Sequence, residues 1–379
     1  MKKLIVFGAL CTLSSFATSQ VSSESFVWDG QTRTYNLYIP SSYSVGDTVP
    51  LVFCLHGMGD TGPNFMNTGF NAVADTANFI AVYPTALIDP FFNATAWNCG
   101  TGNNPTVDDI GFFYALIDTV NKAYPIDMDK IHATGFSLGG FMSNRMACEM
   151  SDKIASIASV SGTIGVNITC TPTRPVPMMH MHGTNDNTIA WDGTFNGFPV
   201  GQGVDTMIET WKTINNCPGT ATQTALPDIA SDGYTIDHFD YSPCDEGSEV
   251  ELYKINGADH VWMFTNNDVD SRVEIWRFFH RHPMPPATPV LDVAGPAPIN
   301  KIQLTPNPAS ELVNIVGLDR SGFPAQLEIY DLSGRSLITQ HISSDADLQV
   351  DLLNLESGMY VLRLSSVYHT FSENLIITR

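Results

Sequence analysis

The amino-acid sequence predicts an α/β protein, a mostly parallel central sheet flanked by helices, followed by a small all-β sandwich. Three observations carry that prediction. Short β-rich runs alternate with helical patterns between residues 20 and 282, the pattern of a sheet whose strands are joined by helices. The stretch HPMPPATPVLDVAGPAPIN, His282 to Asn300, holds six prolines and no apolar periodicity, the composition of a semi-rigid exposed linker. Beyond it come some 80 residues of short alternating strands.

The chain opens with Lys2 and Lys3, an apolar run from Leu4 to Leu13 and the small-residue site Ala17-Thr18-Ser19. That order is read as a secretory signal peptide, cleaved before Gln20. Its apolar run is too short to span a bilayer, and no other stretch approaches the roughly 18 apolar residues of a transmembrane helix. No transmembrane segment is expected. The expected organisation is a signal peptide over 1–19, an α/β domain over 20–282, a proline-rich linker over 283–300 and a β-sandwich over 301–379.

In the α/β domain the first strands are Thr34 to Ile39 and Leu51 to Leu55, the second a continuous apolar run of the kind buried on both faces of a sheet. Phe79 to Val82 is the next. A helix is expected over Ile110 to Ala123, then a strand at Lys130 to Thr134, the turn Gly135 to Gly139 and a helix through about Cys148. Ile154 to Val160, Val176 to His182 and Val250 to Ile255 are further strands. Asp205 to Ile214 and Ser271 to Phe279 space apolar residues three and four apart, as amphipathic helices do.

Charge narrows the function. The 18 Lys and Arg against 39 Asp and Glu give a formal net charge of -21, which leaves no basic footprint for nucleic acid or an anionic membrane. It also disfavours a polyanionic substrate such as pectin. Export places six cysteines, Cys54, Cys99, Cys148, Cys170, Cys217 and Cys244, in an oxidising compartment. Six allow 15 connectivities, and short loops favour Cys148 with Cys170 and Cys217 with Cys244. Each such loop would contribute roughly 3 kcal/mol in the chain-entropy account. Cys54, in a strand, and Cys99, in a loop, either pair or are inert buried thiols.

Gly135-Phe136-Ser137-Leu138-Gly139 is a G-x-S-x-G pentapeptide, of moderate specificity by itself. An apolar strand enters it and a helical run leaves it, the setting in which a serine hydroxyl is presented on a sharp turn. A serine needs a base to take its proton. His260, in Gly257-Ala258-Asp259-His260, follows the last strand and is the candidate. His280 and His282 suit a helix C-terminus better, and His180 and His182 lack a third metal ligand. The acid that orients the base is Asp186, just beyond the strand ending at His182, with Asp192 in reserve. Oxyanion donors are expected from the Leu138 amide and, in Leu55-His56-Gly57-Met58-Gly59, the Met58 amide. His56 is expected to be a hydrogen-bonded structural histidine. Neither a metal nor an organic cofactor is called for.

PLVFCLHGMGD, FIAVYP, AWNCG, VDDIGF, ATGFSLGGFM, ASVSG, PVPMMHMHGTNDNTIAWDG and NGADHVWM stand in the order found in the secreted feruloyl esterase and polyhydroxyalkanoate depolymerase group of α/β-hydrolases. Residues Thr32 to His282 resemble that group. The resemblance implies the α/β-hydrolase fold and the triad Ser137, Asp186 and His260. It makes Trp97, Asn98 and Trp262 substrate-binding candidates, with Asp108 and Asp109 as wall or support. Met263 departs from the proline that many relatives carry. The stretches LTPNPA, LEIYDLSGR and GMYVLRL resemble the C-terminal sorting domain of type IX secretion cargo, which implies the type IX machinery as a partner and a secreted or surface-attached product. A carbohydrate-binding module is the rival for this tail, and its few aromatics count against it.

The expected function is hydrolysis of feruloyl or acetyl esters on plant cell-wall xylan by a serine esterase acting on polysaccharide or oligosaccharide. The alternatives are an extracellular polyhydroxybutyrate depolymerase and a catalytically dead polysaccharide-binding protein.

Overall fold

The computed structural model describes residues 19–263, 267–285, 303–316, 325–331, 335–342, 349–366 and 370–379. The predicted signal peptide, Ser19 apart, and the linker beyond Pro285 lie outside them. The chain divides into two compact units between Thr288 and Pro289.

The first unit is built on a ten-stranded sheet. Its strands are β1 (Gln20–Trp28), β2 (Gln31–Ile39), β3 (Val49–Leu55), β4 (Ile80–Pro84), β7 (Ile126–Phe136), β8 (Ser156–Val160), β9 (Met178–Gly183), β12 (Thr222–Ala225), β13 (Thr235–Tyr241) and β14 (Val250–Asn256). Two small hairpins stand apart from it, β5 (Ile88–Asp89) with β6 (Ala94–Thr95) and β10 (Thr194–Phe195) with β11 (Phe198–Pro199). The sheet order is β1-β2-β4-β3-β7-β8-β9-β14-β13-β12. β4 to β14 in that order run parallel, and the strands outside them pair antiparallel.

The parallel strands read as continuous apolar runs because both faces are covered. Leu51, Phe53 and Leu55 enter one core while Val52 and Cys54 enter the other, the two-residue alternation of a strand. Helices α3 (Asp109–Ala123), α4 (Leu138–Glu149) and α5 (Val204–Ile214) cover the first face. The short α1 (Gly62–Phe65), α2 (Phe70–Ala77) and α6 (Ser271–Arg281) cover the second. α3 is capped by Asp108, whose side chain accepts from the Gly111 amide at 2.9 Å, and His282 ends α6 by bonding the Phe278 carbonyl.

Every strand and helix expected in this unit is present, with shifted ends. β9 begins at Met178 rather than Val176, because Pro177 has no N–H to give the ladder. β1, β12 and β13 were not expected: their burial patterns are mostly exposed or half-buried, so they lack the apolar runs that mark the interior strands.

Cys148–Cys170 and Cys217–Cys244 are disulfides, as the short loops favour. Cys54 and Cys99 are free and buried, and burial pushes both thiols up, Cys99 to about 12. Of the two readings left open, they are inert thiols.

The second unit is a small sandwich. One sheet holds β15 (Gln303–Thr305), β16 (Leu312–Val316) and β19 (Gln349–Asp351); the other has the order β18 (Ser336–Ile342), β17 (Ala325–Tyr330), β20 (Gly358–Ser366), β21 (Thr370–Ile377). Val313, Ile315 and Val350 from the first share a core with Leu327, Ile329, Leu362 and Leu375 from the second. The Asp-Leu-Ser-Gly stretch, whose sequence favours a hairpin turn, falls between β17 and β18. Asp331 exchanges hydrogen bonds with Arg335 there, while residues 332–334 lie outside the described residues.

Candidate active site

Ser137 stands between the end of β7 and the first residue of α4, with φ 57° and ψ −122°. An L-residue adopts such a conformation only where its surroundings enforce it. Its amide donates to the Val160 carbonyl at 2.9 Å and its carbonyl accepts from Phe141 at 3.0 Å, so both neighbouring strand and following helix hold the turn. The flanking glycines are obligatory. A Cβ on Gly139 would lie 1.9 Å from the Leu55 carbonyl oxygen, and one on Gly135 would lie 2.4 Å from the Gly139 backbone.

His260 comes from the loop after β14. Its Nδ1 lies 2.7 Å from Asp186 Oδ2, and its ring lies 4.5 Å from that of Phe136, the residue before Ser137. Asp186 is buried, and its Oδ1 accepts from the Thr188 amide at 2.9 Å and the Ile189 amide at 2.8 Å. Burial works to raise its carboxyl, but the hydrogen bond and charge of His260, the Ile189 amide and His182 together hold it below the usual carboxylate range. It is an anion aimed at the imidazole.

Two loops distant in sequence are stapled here. Asp259 Oδ1 accepts from both the Asn187 and His260 amides at 2.8 Å, and the Asn185 amide donates to the Ala258 carbonyl at 2.9 Å. Beneath them runs a buried chain: Ser159 Oγ to His180 Nδ1 at 2.9 Å, His180 Nε2 to His182 Nδ1 at 3.0 Å, and His182 Nε2 to the Ile189 carbonyl at 2.8 Å. Burial pulls both imidazoles below their ordinary value, so they are neutral struts under Asp186. Among the described residues no group of three or more His, Cys, Asp or Glu is placed to hold a metal.

The loop after β3 meets Ser137 from the other side, where a Cβ on Gly57 would lie 3.3 Å from Ser137 Cβ. That approach brings Met58 and Leu138 to the wall of one cavity of about 480 Å³ with Ser137. His56 is structural, as expected: it is fully buried, its Nδ1–H donates to the Gly57 carbonyl at 2.6 Å and its Nε2 accepts from the Ala86 amide at 3.0 Å. Asp192 is a turn residue whose Oδ1 accepts from Thr194.

Trp97, Asn98 and Trp262 require correction. The structure does not place them on the cavity wall. Trp97 is fully buried and gives its indole N–H to the His56 carbonyl at 3.0 Å. Asn98 spends its side-chain amide on the Val107 carbonyl at 2.8 Å and its backbone amide on Asp109 at 2.8 Å. Trp262 packs edge-on against Phe65 and Phe136. All three brace the loops from behind. The wall is instead made by Phe91, Phe92, Phe195, Ile189, Val200 and neighbours. Asp89-Pro90-Phe91-Phe92-Asn93 carried a signal for this, adjacent aromatics set between turn formers.

Residues 50–202 match the α/β hydrolase fold family. The bifunctional acetylxylan esterase/xylanase XynS20E of Neocallimastix patriciarum is 30% identical over 235 residues, 61% of this chain and 31% of that relative; the chain thus spans less than a third of its length. A probable feruloyl esterase C of Aspergillus terreus is 30% identical over 200 residues, 48% of this chain and 69% of that relative. The chain belongs to the feruloyl esterase group of α/β-hydrolases. A polyhydroxybutyrate depolymerase of Talaromyces funiculosus is 36% identical to this α/β-hydrolase over 117 residues, 29% of the chain and 34% of that relative. Residues 303–378 match the secretion system C-terminal sorting domain. This α/β-hydrolase is therefore a secreted or surface-attached protein carrying a type IX sorting domain, and among its described residues no helix is long and apolar enough to cross a membrane.

Proposed function

We propose that the protein is a serine esterase that removes aromatic acyl groups of the feruloyl type, and less efficiently acetyl groups, from xylan. The observation that carries it is the 2.7 Å contact of His260 with a buried Asp186 beside a strained Ser137 that opens on an apolar cavity. His260 Nε2 takes the Ser137 proton as Oγ attacks the ester carbonyl, and the Leu138 and Met58 amides receive the oxyanion. The C–O bond to the sugar breaks, and His260 returns the proton to the leaving alcohol. A water then gives a proton to His260 and attacks the acyl carbon, and His260 returns that proton to Ser137 Oγ as the acyl C–O bond breaks and the acid leaves.

The cavity favours the aromatic acyl group. At about 480 Å³, with Phe91, Phe92, Phe195 and Ile189 around Ser137, it would be left mostly empty by an acetyl group, and burying an aromatic ring there is worth more. Acid release from methyl ferulate, acetylated xylan and a polyhydroxybutyrate film tests this. Methyl ferulate is expected to be cleaved fastest and Ser137→Ala to abolish release. Parent-rate cleavage by Ser137→Ala overturns the proposal.

One observation favours a second reading. Phe91 is 85% and Phe198 72% exposed at the cavity rim hairpins, an apolar surface of the kind a polyester would contact. Release from the film alone would establish the depolymerase instead.

A further inference from the structure

The first unit holds a second cavity of about 550 Å³, lined by Trp28, Asp29 and Gln31 from the β1–β2 turn and by Ile88, Pro90 and Asp108 across from it. We propose that this cavity is a subsite for neutral sugar residues of the polymer main chain, next to the residue whose ester enters the Ser137 cavity. The proposal rests on the esterase reading for its purpose and on the following geometry for its place.

The same two loops line both cavities. Asp89, Phe91 and Phe92, with Thr101 to Asn103, line the Ser137 cavity, whereas Ile88 and Pro90, with Asn104 and Asp108, line the second. A buried pair pins the loops together. Asp89 Oδ1 accepts from the Phe91 amide at 2.9 Å and the Phe92 amide at 3.0 Å, and its Oδ2 accepts from the Asn104 amide at 2.7 Å. Asn104 Nδ2 in turn donates to the Leu87 carbonyl at 3.0 Å and the Ala96 carbonyl at 2.7 Å. The cavities therefore share one rigid wall, and a polymer lying across it reaches both.

The chemistry of the lining selects the ligand. Arg33 also lines the cavity, 1% exposed, with Nη2 paired to Asp109 at 2.6 Å and its Nε–H without a partner. Asp29 and Asp108 are exposed carboxylates, which repel uronate or phosphate and accept hydrogen bonds from hydroxyl groups. Trp28 is fixed by its indole N–H, which donates to the Asp108 carbonyl at 3.2 Å. It stands with Ile88 and Pro90 as the apolar part. A hydroxyl-rich, uncharged ring with apolar C–H faces matches that mixture, and the volume falls within the range of about 300–1,000 Å³ of small-molecule sites. Binding the main chain here would place remote binding energy at the service of the reacting ester.

The experiment uses the full chain with Trp28→Ala, Gln31→Ala and Asp29→Gly, the last chosen because Asp29 has φ 47°, which glycine tolerates. Binding of unesterified xylotetraose and cellotetraose is measured by calorimetry, and kcat/KM is measured on a feruloylated xylo-oligosaccharide and on methyl ferulate. The parent is expected to bind at least one tetraose, and each variant to bind it about five-fold or more weakly. kcat/KM on the oligosaccharide should fall by about five-fold or more through KM, with methyl ferulate unchanged within about two-fold. Absence of tetraose binding in the parent, unchanged binding in all three variants, or equal losses on both esters overturns the subsite. If the parent cleaves no ester, the esterase reading fails while the tetraose arm still decides the subsite.

Discussion

The Nδ1–H of His260 donates to Asp186 Oδ2 over 2.7 Å, across a sequence separation of 74 residues. The other carboxylate oxygen is held by the Thr188 and Ile189 amides, so the acid cannot turn away from the imidazole. Asp186→Asn keeps the shape and removes the charge that fixes the tautomer. A fall in kcat of about 10³- to 10⁴-fold on methyl ferulate is expected, with unchanged circular dichroism. Retention of more than a tenth of the parent kcat would show that the acid lies elsewhere.

Gly139→Ala tests the elbow. The added Cβ would meet the Leu55 carbonyl oxygen at 1.9 Å, a backbone atom of a central strand that cannot yield. A loss of about 3 kcal/mol or more is expected, the upper end of overpacking costs. Gly219, where a Cβ meets nothing within 4 Å, is the control, and Gly219→Ala should leave the urea midpoint unchanged.

Arg33→Met should cost about 3–5 kcal/mol, because it leaves Asp109 charged in the core without its partner. The two side chains are 1% and 0% exposed, and burial already pushes the Asp109 carboxyl up against the pull of Arg33. Adding Asp109→Asn removes the stranded charge and keeps an acceptor for the Asn98 amide. At least half of the loss in urea-measured stability should return; an additive or greater loss would mean the pair is not coupled.

Glu249 makes stability depend on acid. Burial raises its carboxyl, but the hydrogen bond and charge of His282, 2.9 Å away, and the charge of Arg281 outweigh it and bring it down to about 2. A carboxyl depressed in the folded state stabilises fully above its unfolded value, about 4.3, and the contribution disappears as pH falls toward 2. Urea midpoints of parent and Glu249→Gln should differ at pH 7 and pH 5 and converge between about pH 4 and pH 2. A gap constant with pH would remove Glu249 from the acid limb.

Most interior strands were legible because a strand covered on both faces must be apolar at every position, as Leu51 to Leu55 is. The turn at Ser137 and the position of His260 were legible because a sharp strand-to-helix turn excludes all but glycine two residues to either side of the serine and because His260 follows the last strand of the sheet. The edge strands β1 and β12, and β13 beside β12, were not, since exposure removes the apolar signal. Trp97, Asn98 and Trp262 were placed on the wrong side of the site wall: residue type shows that a side chain is large or polar, not which way a loop turns it.

Composition, charge, cysteine spacing and the order of turns thus specify an exported α/β protein with a serine, an acid and a base in sequence, because these depend on neighbours along the chain. Which apolar side chains face Ser137, and that the loops 87–92 and 101–108 form one wall between two cavities, depend on the buried Asp89–Asn104 pair and on Asp259 joining the acid loop to the base loop. Those are contacts between loops far apart along the chain. Only packing the loops over the ends of the parallel strands selects which of their residues meet.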